Sequence, residues 1–592
     1  MNRLSFLGHK CILIAFLLFM SLPAFAQVTV TGTVVEESTG EPLIGATVVV
    51  QGTSKGTATD IEGDFTLEVP NLKAKLVVSY VGFTTRTVPA SECERIALKE
   101  NSAVLDEAVV VGFATQKKVN LTGAVGSVSS KDLENRGLTS VAAGLQGAMP
   151  GVTIVQNSGQ PGLDDGGTSI RVRGNGTFNN AAPMVIVDGV ESTMYDLDPN
   201  DIESISVLKD AASAAIYGSK AANGVILVTT KRGKKGQANL TYSATFGWQK
   251  PTSTPNYVGS ADYARLTNEA RANEGLSPLY SEEDIRLYAD GSDPYGHANT
   301  DWVNLLYQGS GFQMTHNLSL TGGGDNTRYL VSLGYQDQEG TVRNVSKNQY
   351  SMRMNLDADL NKRLSAAFSM AYSRQDIDLP TNPHNDSFDE FFRLANRISP
   401  MVVCQYPDGT YGYIGDGNPI AWLDSDALRK TTRNNLLMTG KLNLKIIDGL
   451  TLSGMLGYKL YYGETKDDNK SVQYTPTFTH GIDKKWNSVM RDDRLSADVL
   501  LNYNKTFASD HTITALAGFH SEYYRFYELY AYREIFPSNT LTDINAGGTA
   551  NLNNSGYTRD LTMLSWFGRV NYDYAGRYLL EANVRYDGSS RF

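Results

Sequence analysis

The sequence has few cysteines and, beyond its first twenty residues, no long apolar run. Of its 592 residues only Cys11, Cys93 and Cys404 are cysteines, and they lie far apart. This spacing excludes a disulfide framework or a cysteine-based zinc site that could be recognised from sequence. A transmembrane helix needs about 18 consecutive apolar residues, and no such run follows residue 20.

The chain also lacks an excess of basic residues and any recognisable catalytic motif. Its net charge is −10, and no basic stripe of the kind that binds nucleic acid is present. The glycine-rich segments 144–147 and 174–176 lack a full nucleotide-binding pattern, and neither H-E-x-x-H nor G-x-S-x-G occurs. The histidines are scattered singly. The sequence therefore predicts no enzyme, no cofactor and no metal.

The first 26 residues have the pattern of an export signal. Arg3 and Lys10 precede the apolar run 11–20, and Ala24-Phe25-Ala26 offers a small-x-small cleavage site. This pattern predicts a signal peptide over residues 1–26 and not a stable membrane anchor. An exported chain without a spanning helix can enter a membrane only as a closed β-barrel, in which strands satisfy each other's backbone hydrogen bonds.

From residue 236 onward, segments of alternating polarity recur. In the clearest one, Met352, Met354, Leu356, Ala358 and Leu360 alternate with Arg353, Asn355, Asp357 and Asp359. Alternation over about ten residues is typical of transmembrane β-strands, with the apolar row facing lipid and the charged row the lumen. The 32 tyrosines suit the interfaces of such a barrel. A soluble β-sandwich with one wet face would show the same alternation.

Residues 27–100 predict a small β-sandwich, because short Val- and Thr-rich runs alternate with Gly, Pro and Asp turns. The runs 31–35 and 41–48, with Tyr80-Val81-Gly82-Phe83, resemble the carboxypeptidase-regulatory-like domain. The resemblance implies a structural accessory, which we expect on the periplasmic side. Asp60, Glu62 and Asp64 alternate like calcium ligands, but the terminal Glu of an EF-hand loop is absent. A solvated turn is favoured there, and bound calcium stays open.

The segment 198–231 contains two short β-type runs joined by a helix of small residues, with a glycine at the second turn. This predicts a compact βαβ-like unit without a catalytic side chain. Together with Val141–Ile154, which we expect to form a strand and turn, the segment resembles the plug domain of TonB-dependent outer-membrane receptors. The resemblance covers residues 121–235. It implies a plugged pore in the outer membrane.

Arg171 and Arg173 alternate with Ile170 and Val172, which predicts that both guanidinium groups lie on one strand face. Arginine pairs readily with carboxylates, and in the family such pairs hold the plug against the barrel. A weak surface pair is the alternative. Five residues are predicted to form plug turns rather than catalytic positions, and they are Gly174, Asp188, Gly189, Gly218 and Gly224.

The predicted linker 101–120 contains an isolated β-prone segment. It reads Asp106-Glu107-Ala108-Val109-Val110-Val111-Gly112. In a TonB-dependent receptor its position before the plug implies a TonB box, an extended peptide that pairs with a sheet of the periplasmic protein TonB. One more edge strand is the alternative.

Long insertions narrow the resemblance to one branch of the family. Residues 261–270, 281–284 and 299–302, together with the loop 400–422, resemble segments of SusC/RagA-type receptors. This branch implies import of oligosaccharides or oligopeptides, with a SusD-like lipoprotein covering the barrel. Trp302 and Trp422 are candidate ligand contacts, with anchors at the barrel rim as the alternative.

The expected fold is therefore mainly β, with a β-sandwich, a small α+β plug and an antiparallel transmembrane barrel over residues 236–592. Barrels of such transporters have about 22 strands, and this length supplies about half of them, so we expect a C-terminally truncated barrel. The Ser590 and Gly588 positions before Phe592 do not fit a terminal assembly signal. A surface receptor or adhesin that does not transport is the alternative function.

Overall fold

The computed structural model describes most of the chain in detail. The described residues are 28–37, 39–53, 55–80, 83–99, 108–111, 114–117, 124–134, 140–163, 168–177, 181–508 and 510–591. The predicted signal peptide lies outside these ranges, as do Asp106, Glu107 and Gly112 of the predicted TonB box. The chain divides into two compact units. The first comprises residues up to 108 together with 117–119, and the second comprises the remaining residues.

Seven short strands form the β-sandwich in the described part of the first unit. They are β1 (Val28–Glu36), β2 (Thr47–Val50), β3 (Gly56–Ala58), β4 (Asp64–Val69), β5 (Lys75–Ser79), β6 (Arg86–Pro89) and β7 (Arg95–Leu98), with a 3-10 turn at Ala90–Glu92. One sheet has the order β4-β1-β7 and the other β3-β2-β5-β6. Val34, Val48 and Val78, drawn from both sheets, are fully buried in one core. The predicted β-sandwich is confirmed.

Two further strands, β8 (Ala108–Val111) and β9 (Ala114–Lys117), pair with each other as a separate two-stranded sheet. Four residues of the predicted TonB box, 108–111, therefore have a β-strand backbone. An extended backbone is what strand addition to a partner requires. The assignment of this segment as a TonB box stays a prediction.

The plug is built on a mixed five-stranded sheet with the order β10-β15-β16-β13-β14, and on the separate pair β11-β12. Its strands are β10 (Val125–Ser129), β11 (Val152–Gln156), β12 (Thr168–Val172), β13 (Met184–Val187), β14 (Val190–Glu191), β15 (Ile202–Leu208) and β16 (Val225–Thr230). Its helices are Ser130–Glu134, Val141–Leu145 and Ala211–Ala214, with 3-10 turns at Pro199–Asp201, Ala215–Tyr217 and Ser219–Ala221.

Two sequence expectations for the plug are wrong in detail. β15 and β16 run antiparallel, whereas a βαβ unit has parallel strands. The connection between them consists only of short helical turns, and Gly218 and Gly224, at φ +74° and +90°, let it double back. Val141–Leu145 is a helix and not a strand, because the Ser140 hydroxyl accepts a hydrogen bond from Ala143 N and caps it.

Among the residues that the structure describes, eleven long strands form one antiparallel sheet, here called the wall sheet, in which each strand pairs with the next strand of the same sheet along the chain. The strands are β17 (Gly236–Gln249), β18 (Gly311–Gly323), β19 (Thr327–Glu339), β20 (Ser346–Asp359), β21 (Leu364–Pro380), β22 (Leu428–Ile447), β23 (Leu450–Asn469), β26 (Lys484–Phe507), β27 (His511–Glu534), β28 (Asn553–Tyr574) and β29 (Tyr578–Ser589). A small hairpin, β24 (Val472–Thr475) and β25 (Phe478–His480), lies between β23 and β26.

One end of the wall sheet has short turns and the other has long loops. The described turns are residues 324–326, 360–363, 448–449 and 575–577, whereas the main loops span 250–310, 381–427, 470–483 and 535–552. The loops contain the helices Ser260–Asn273, Glu282–Asp290, Trp302–Leu306, Asp389–Ala395 and Pro419–Asp424, and the 3-10 turn Ile544–Ala546. Among the residues that the structure describes, no helix is long and apolar enough to span a bilayer.

The two faces of the wall sheet differ as the alternation predicts. On β20, Arg353 and Asn355 are buried on the face that contacts the plug, here called the inner face. Leu356 is exposed on the opposite, outer face. The last strand repeats the pattern with Leu580, Val584 and Tyr586, each more than 60% exposed. The outer face is therefore apolar and the inner face polar.

Candidate functional site: the contact between plug and wall sheet

A tight turn of the plug points toward the wall sheet. Asp188 and Gly189 join β13 to β14 with φ of +48° and +94°, so the glycine accommodates a backbone that other residues disfavour. The Asp188 carboxylate accepts hydrogen bonds from the Thr230 backbone N, at 3.1 Å, and from the Thr230 hydroxyl, at 2.7 Å. These bonds fix the carboxylate at the end of β16.

Arg353 of β20 is the main cation opposite this turn. Its guanidinium is 2% exposed and lies 3.2 Å from Asp201 Oδ2 and 3.5 Å from Asp188 Oδ2. It also donates to the Thr230 hydroxyl at 3.3 Å. Burial raises the pKa of Asp201 above its usual range, the nearby Asp198 adds to this, and Arg353 opposes it. One wall arginine therefore holds two plug carboxylates in a site without bulk water.

A second group of charges joins the plug to two adjacent strands of the wall sheet, β26 and β27. The Lys220 ammonium of the plug lies 3.0 Å from Glu191 and 2.7 Å from Glu522 of the wall. Arg494 of the wall lies 2.5 Å from Glu191 and 3.1 Å from Glu522. Each partner thus contributes one cation and one anion, and the four charges balance. Arg585 of β29 also donates to the carbonyl of Ile216.

Apolar packing supplements these polar contacts at two places. The core of the plug includes Leu437 of the wall sheet. A second cluster joins Ile216 and Tyr217 of the plug to Leu500, Leu516 and Phe567 of the wall. Burial raises the pKa of the Tyr217 hydroxyl well above its usual range. The plug is therefore held both by buried apolar side chains and by ion pairs.

The two arginines predicted to hold the plug lie elsewhere. Arg171 donates to Asn175 Oδ1, at 2.9 Å, and to the carbonyl of Ile170, both within the plug. β12 ends at Val172, and Arg173 has a φ of +56°, so the expected alternation stops before Arg173. The ion pairs recorded between plug and wall among the described residues come from other side chains, and a holding role for these two arginines stays a prediction.

The residues that make the contact were only partly visible in the sequence. The alternation predicts Arg353 in the polar row of its strand, but no local pattern shows which carboxylate it meets. The sequence predicts Asp188 as a turn residue, which it is, and its contact with Arg353 depends on a partner 165 positions along the chain. Such long-range pairs leave no periodic signal in a single sequence.

Trp302 and Trp422, the candidate ligand contacts, are buried in the loops and not exposed. They are 3% and 0% exposed. The Trp302 indole donates to the carbonyl of Ser399 at 3.0 Å, and the Trp422 indole to the Tyr474 hydroxyl at 2.8 Å. Both belong to one apolar cluster that joins the loop helices. The ligand-contact prediction is therefore wrong, and so is the alternative of rim anchors, because these rings form a core.

Other aromatic rings of the loops remain exposed. Tyr413 and Phe478 stack with their ring centroids 4.7 Å apart, and they are 42% and 38% exposed. The buried Tyr474 supports both, with centroid distances of 5.2 and 5.9 Å. Burial raises the pKa of Tyr474 to about 12. A stacked pair that packs on a buried ring presents aromatic surface at the loop end of the wall sheet.

The acidic turn of the first unit is closed by its own backbone. Asp60 Oδ1 accepts from the backbone N of Glu62, at 3.0 Å, and of Asp64, at 2.9 Å. All three acidic side chains are exposed, although their oxygens lie close enough together to reach one ion. The solvated turn is thus sufficient to explain the pattern.

Comparison with known proteins agrees with this architecture. Residues 30–111 match the family described as CarboxypepD_reg-like domain, and residues 117–225 match the TonB-dependent Receptor Plug Domain. TonB-dependent receptor P39 of Formosa agariphila is 32% identical over 98% of the chain and 55% of its own length. TonB-dependent receptor SusC of Bacteroides thetaiotaomicron is 28% identical over the whole chain and 59% of its own length. The chain thus spans somewhat more than half the length of these relatives.

A solved structure shares the fold. The RagAB peptide importer in its open-open state superposes with a TM-score of 0.67 at 23% identity, covering 82% of this chain and 57% of the other. A plug against a large antiparallel sheet, after a CarboxypepD_reg-like domain, is the architecture of TonB-dependent receptors. Within that class, the chain is similar in its matched relatives and fold to receptors of the SusC/RagA type. Such receptors reside in the outer membrane and are not enzymes.

Proposed function

We propose that this receptor imports an oligosaccharide or an oligopeptide across the outer membrane, and that TonB drives the import by displacing the plug. The observation that carries the proposal is the polar contact between plug and wall sheet. Its ion pairs join Arg353 to Asp188 and Asp201, and Lys220 and Glu191 to Glu522 and Arg494. Water can replace such pairs once the plug moves, so a pulled plug can leave and return.

We further propose that a SusD-like lipoprotein covers the loop end of the wall sheet and shares the ligand with it. The long loops lie at the end opposite the short turns. Long extracellular loops and short periplasmic turns are the usual arrangement in outer-membrane barrels. The peptide importer among the structural relatives supports the fold alone and does not decide the ligand. The experiment below therefore uses both oligosaccharides and oligopeptides.

The proposal predicts that deleting residues 106–112 abolishes uptake but not binding at the cell surface. The deletion removes the peptide that would pair with TonB and leaves the loops intact. The measurement is energy-dependent accumulation of fluorescent oligosaccharide and oligopeptide mixtures, compared with binding at 4 °C. Unchanged accumulation after the deletion would contradict the proposal, and binding without any accumulation by the unmodified receptor would support a surface receptor or adhesin.

A matched pair of point variants refines this test. Val110→Pro removes a backbone N–H and disfavours pairing with a partner strand, so uptake should fall as it does in the deletion. Val110→Thr keeps a β-branched side chain and the backbone donor, so uptake should persist. Equal uptake by the two variants would show that strand pairing through this segment is not used.

A further inference from the structure

Two glycines of the wall sheet leave space that plug side chains fill. Gly334 of β19 lies in register between Asn317 of β18 and Ser351 of β20. Asn317 and Ser351 both donate to Asp198 Oδ2 of the plug, at 3.1 and 3.3 Å. A Cβ atom on Gly334 would overlap this carboxylate oxygen and the Ser351 hydroxyl. The Asp198 carboxylate therefore occupies the space that a side chain on Gly334 would fill, between Asn317 and Ser351.

Gly457 repeats the arrangement on β23. It lies in register between Thr439 of β22 and Ser496 of β26, both small hydroxyl residues that are less than 10% exposed. Val190 of the plug fills this gap, since a Cβ atom on Gly457 would overlap Val190 Cγ2 and, on the wall itself, the Ser496 hydroxyl. Val190 is 1% exposed and belongs to the plug core. Its side chain is therefore closely packed on all sides.

The backbone does not explain these two glycines. Neither is among the residues with positive φ, so any side chain could adopt their strand conformation. Glycine in a strand interior weakens the strand and often marks the close approach of another segment. Gly454, three residues before Gly457 on the same strand, is different, because a Cβ atom there would have no heavy atom within 4 Å. At both glycines, an added Cβ atom would instead meet a plug side chain together with a hydroxyl group of the neighbouring wall strand.

We propose that Gly334 and Gly457 are two notches that set the closed position of the plug. Asp198 and Val190, at the two ends of the plug segment 190–198, enter the notches and fix the segment along the wall sheet. The ion pairs supply attraction, whereas the notches supply position, because a close-packed contact does not tolerate an added methyl group. The inference rests on the plugged pore of the proposed function but requires neither TonB nor a ligand.

The test is the KCl conductance of the purified receptor in planar bilayers. Gly457→Ala and Gly334→Ala should each raise the conductance about tenfold over the closed receptor, as expected when overpacking shifts a two-state equilibrium. Gly454→Ala is the matched control and should leave the conductance unchanged. Closed channels in both notch variants would overturn the inference. An unmodified receptor that conducts fully would instead contradict the plugged pore of the proposed function.

A second substitution separates displacement from misfolding. Val190→Ala removes the plug methyl group that a Cβ atom on Gly457 would overlap. The Ser496 hydroxyl, which makes no hydrogen bond with the described residues, can rotate aside, so the double variant with Gly457→Ala should close again. The same Val190→Ala change should not close the Gly334→Ala variant, whose overlap is with Asp198. Rescue of both variants, or of neither, would contradict two separate notches.

Discussion

Replacing Arg353 with methionine is expected to lower the free energy of plug unfolding by about 3–5 kcal/mol, the usual cost of leaving buried charges without their partner. Arg353 is 2% exposed and faces Asp188 and Asp201, which are 6% and 8% exposed. Methionine fills similar volume but leaves both carboxylates uncompensated. Hydrogen exchange of the plug amides in β13 to β16 measures the change directly.

The loss of unfolding free energy caused by Arg353→Met, here called the deficit, should shrink as the pH falls. Burial and Asp198 already raise the pKa of Asp201 in the folded state, and Arg353 opposes them. Replacing Arg353 therefore raises the folded-state pKa of Asp201 further. A carboxyl whose folded pKa exceeds its unfolded pKa favours the folded state while protonated, and this contribution is lost as the pH rises through the folded pKa. A deficit that is equal at pH 5 and pH 8 would contradict the buried pairing.

An exposed ion pair supplies the control. Arg525 lies 2.8 Å from Asp560, and the two side chains are 50% and 44% exposed. Exposed pairs contribute about 0–1 kcal/mol, so Arg525→Met should change the hydrogen exchange of the plug little. A similar loss in both variants would show that burial at the plug does not decide the effect.

Replacing Trp422 with alanine is expected to destabilise the loop cluster by about 3–5 kcal/mol, as for other fully buried large aromatic residues. Trp422 is fully buried, contacts Phe391 edge to face, and donates to Tyr474. A Cβ atom on Gly417 would lie 2.7 Å from its ring, so the cluster is closely packed there. Limited proteolysis of the loops 381–427 and 470–483 reports the loss.

Two further variants separate packing from ligand contact. Trp422→Phe keeps most of the buried ring and loses the bond to Tyr474, so the loops should be less affected than with alanine. Trp486→Ala, at a residue that is 45% exposed, should leave their protease resistance unchanged. Reduced ligand binding by Trp422→Ala with fully resistant loops would contradict a structural role.

The period of two made the wall sheet predictable, because every strand places one row on each face. The rows of Met352 and Arg353 lie as the alternation predicts, and the β-sandwich was recognisable from its short strands and turns. The partner of Arg353 was not predictable, since Asp188 and Asp201 carry only local turn signals. The burial of Trp302 and Trp422 also depends on loops that meet only after folding. The sequence pattern therefore predicts which residues lie on each face of the wall sheet, whereas the contacts between distant segments depend on the folded structure.

The most direct test of plug displacement is a reversible covalent link between plug and wall. Thr230 of the plug and Asn355 of β20 lie side by side, with their Oγ1 and Nδ2 atoms 3.4 Å apart, and a cysteine at each can be joined by a short thiol-reactive cross-linker that contains a reducible disulfide. We expect the cross-linked receptor to bind its labelled ligand without accumulating it, and reduction to restore accumulation. Undiminished accumulation through the cross-linked receptor would contradict a transport route that requires the plug to move.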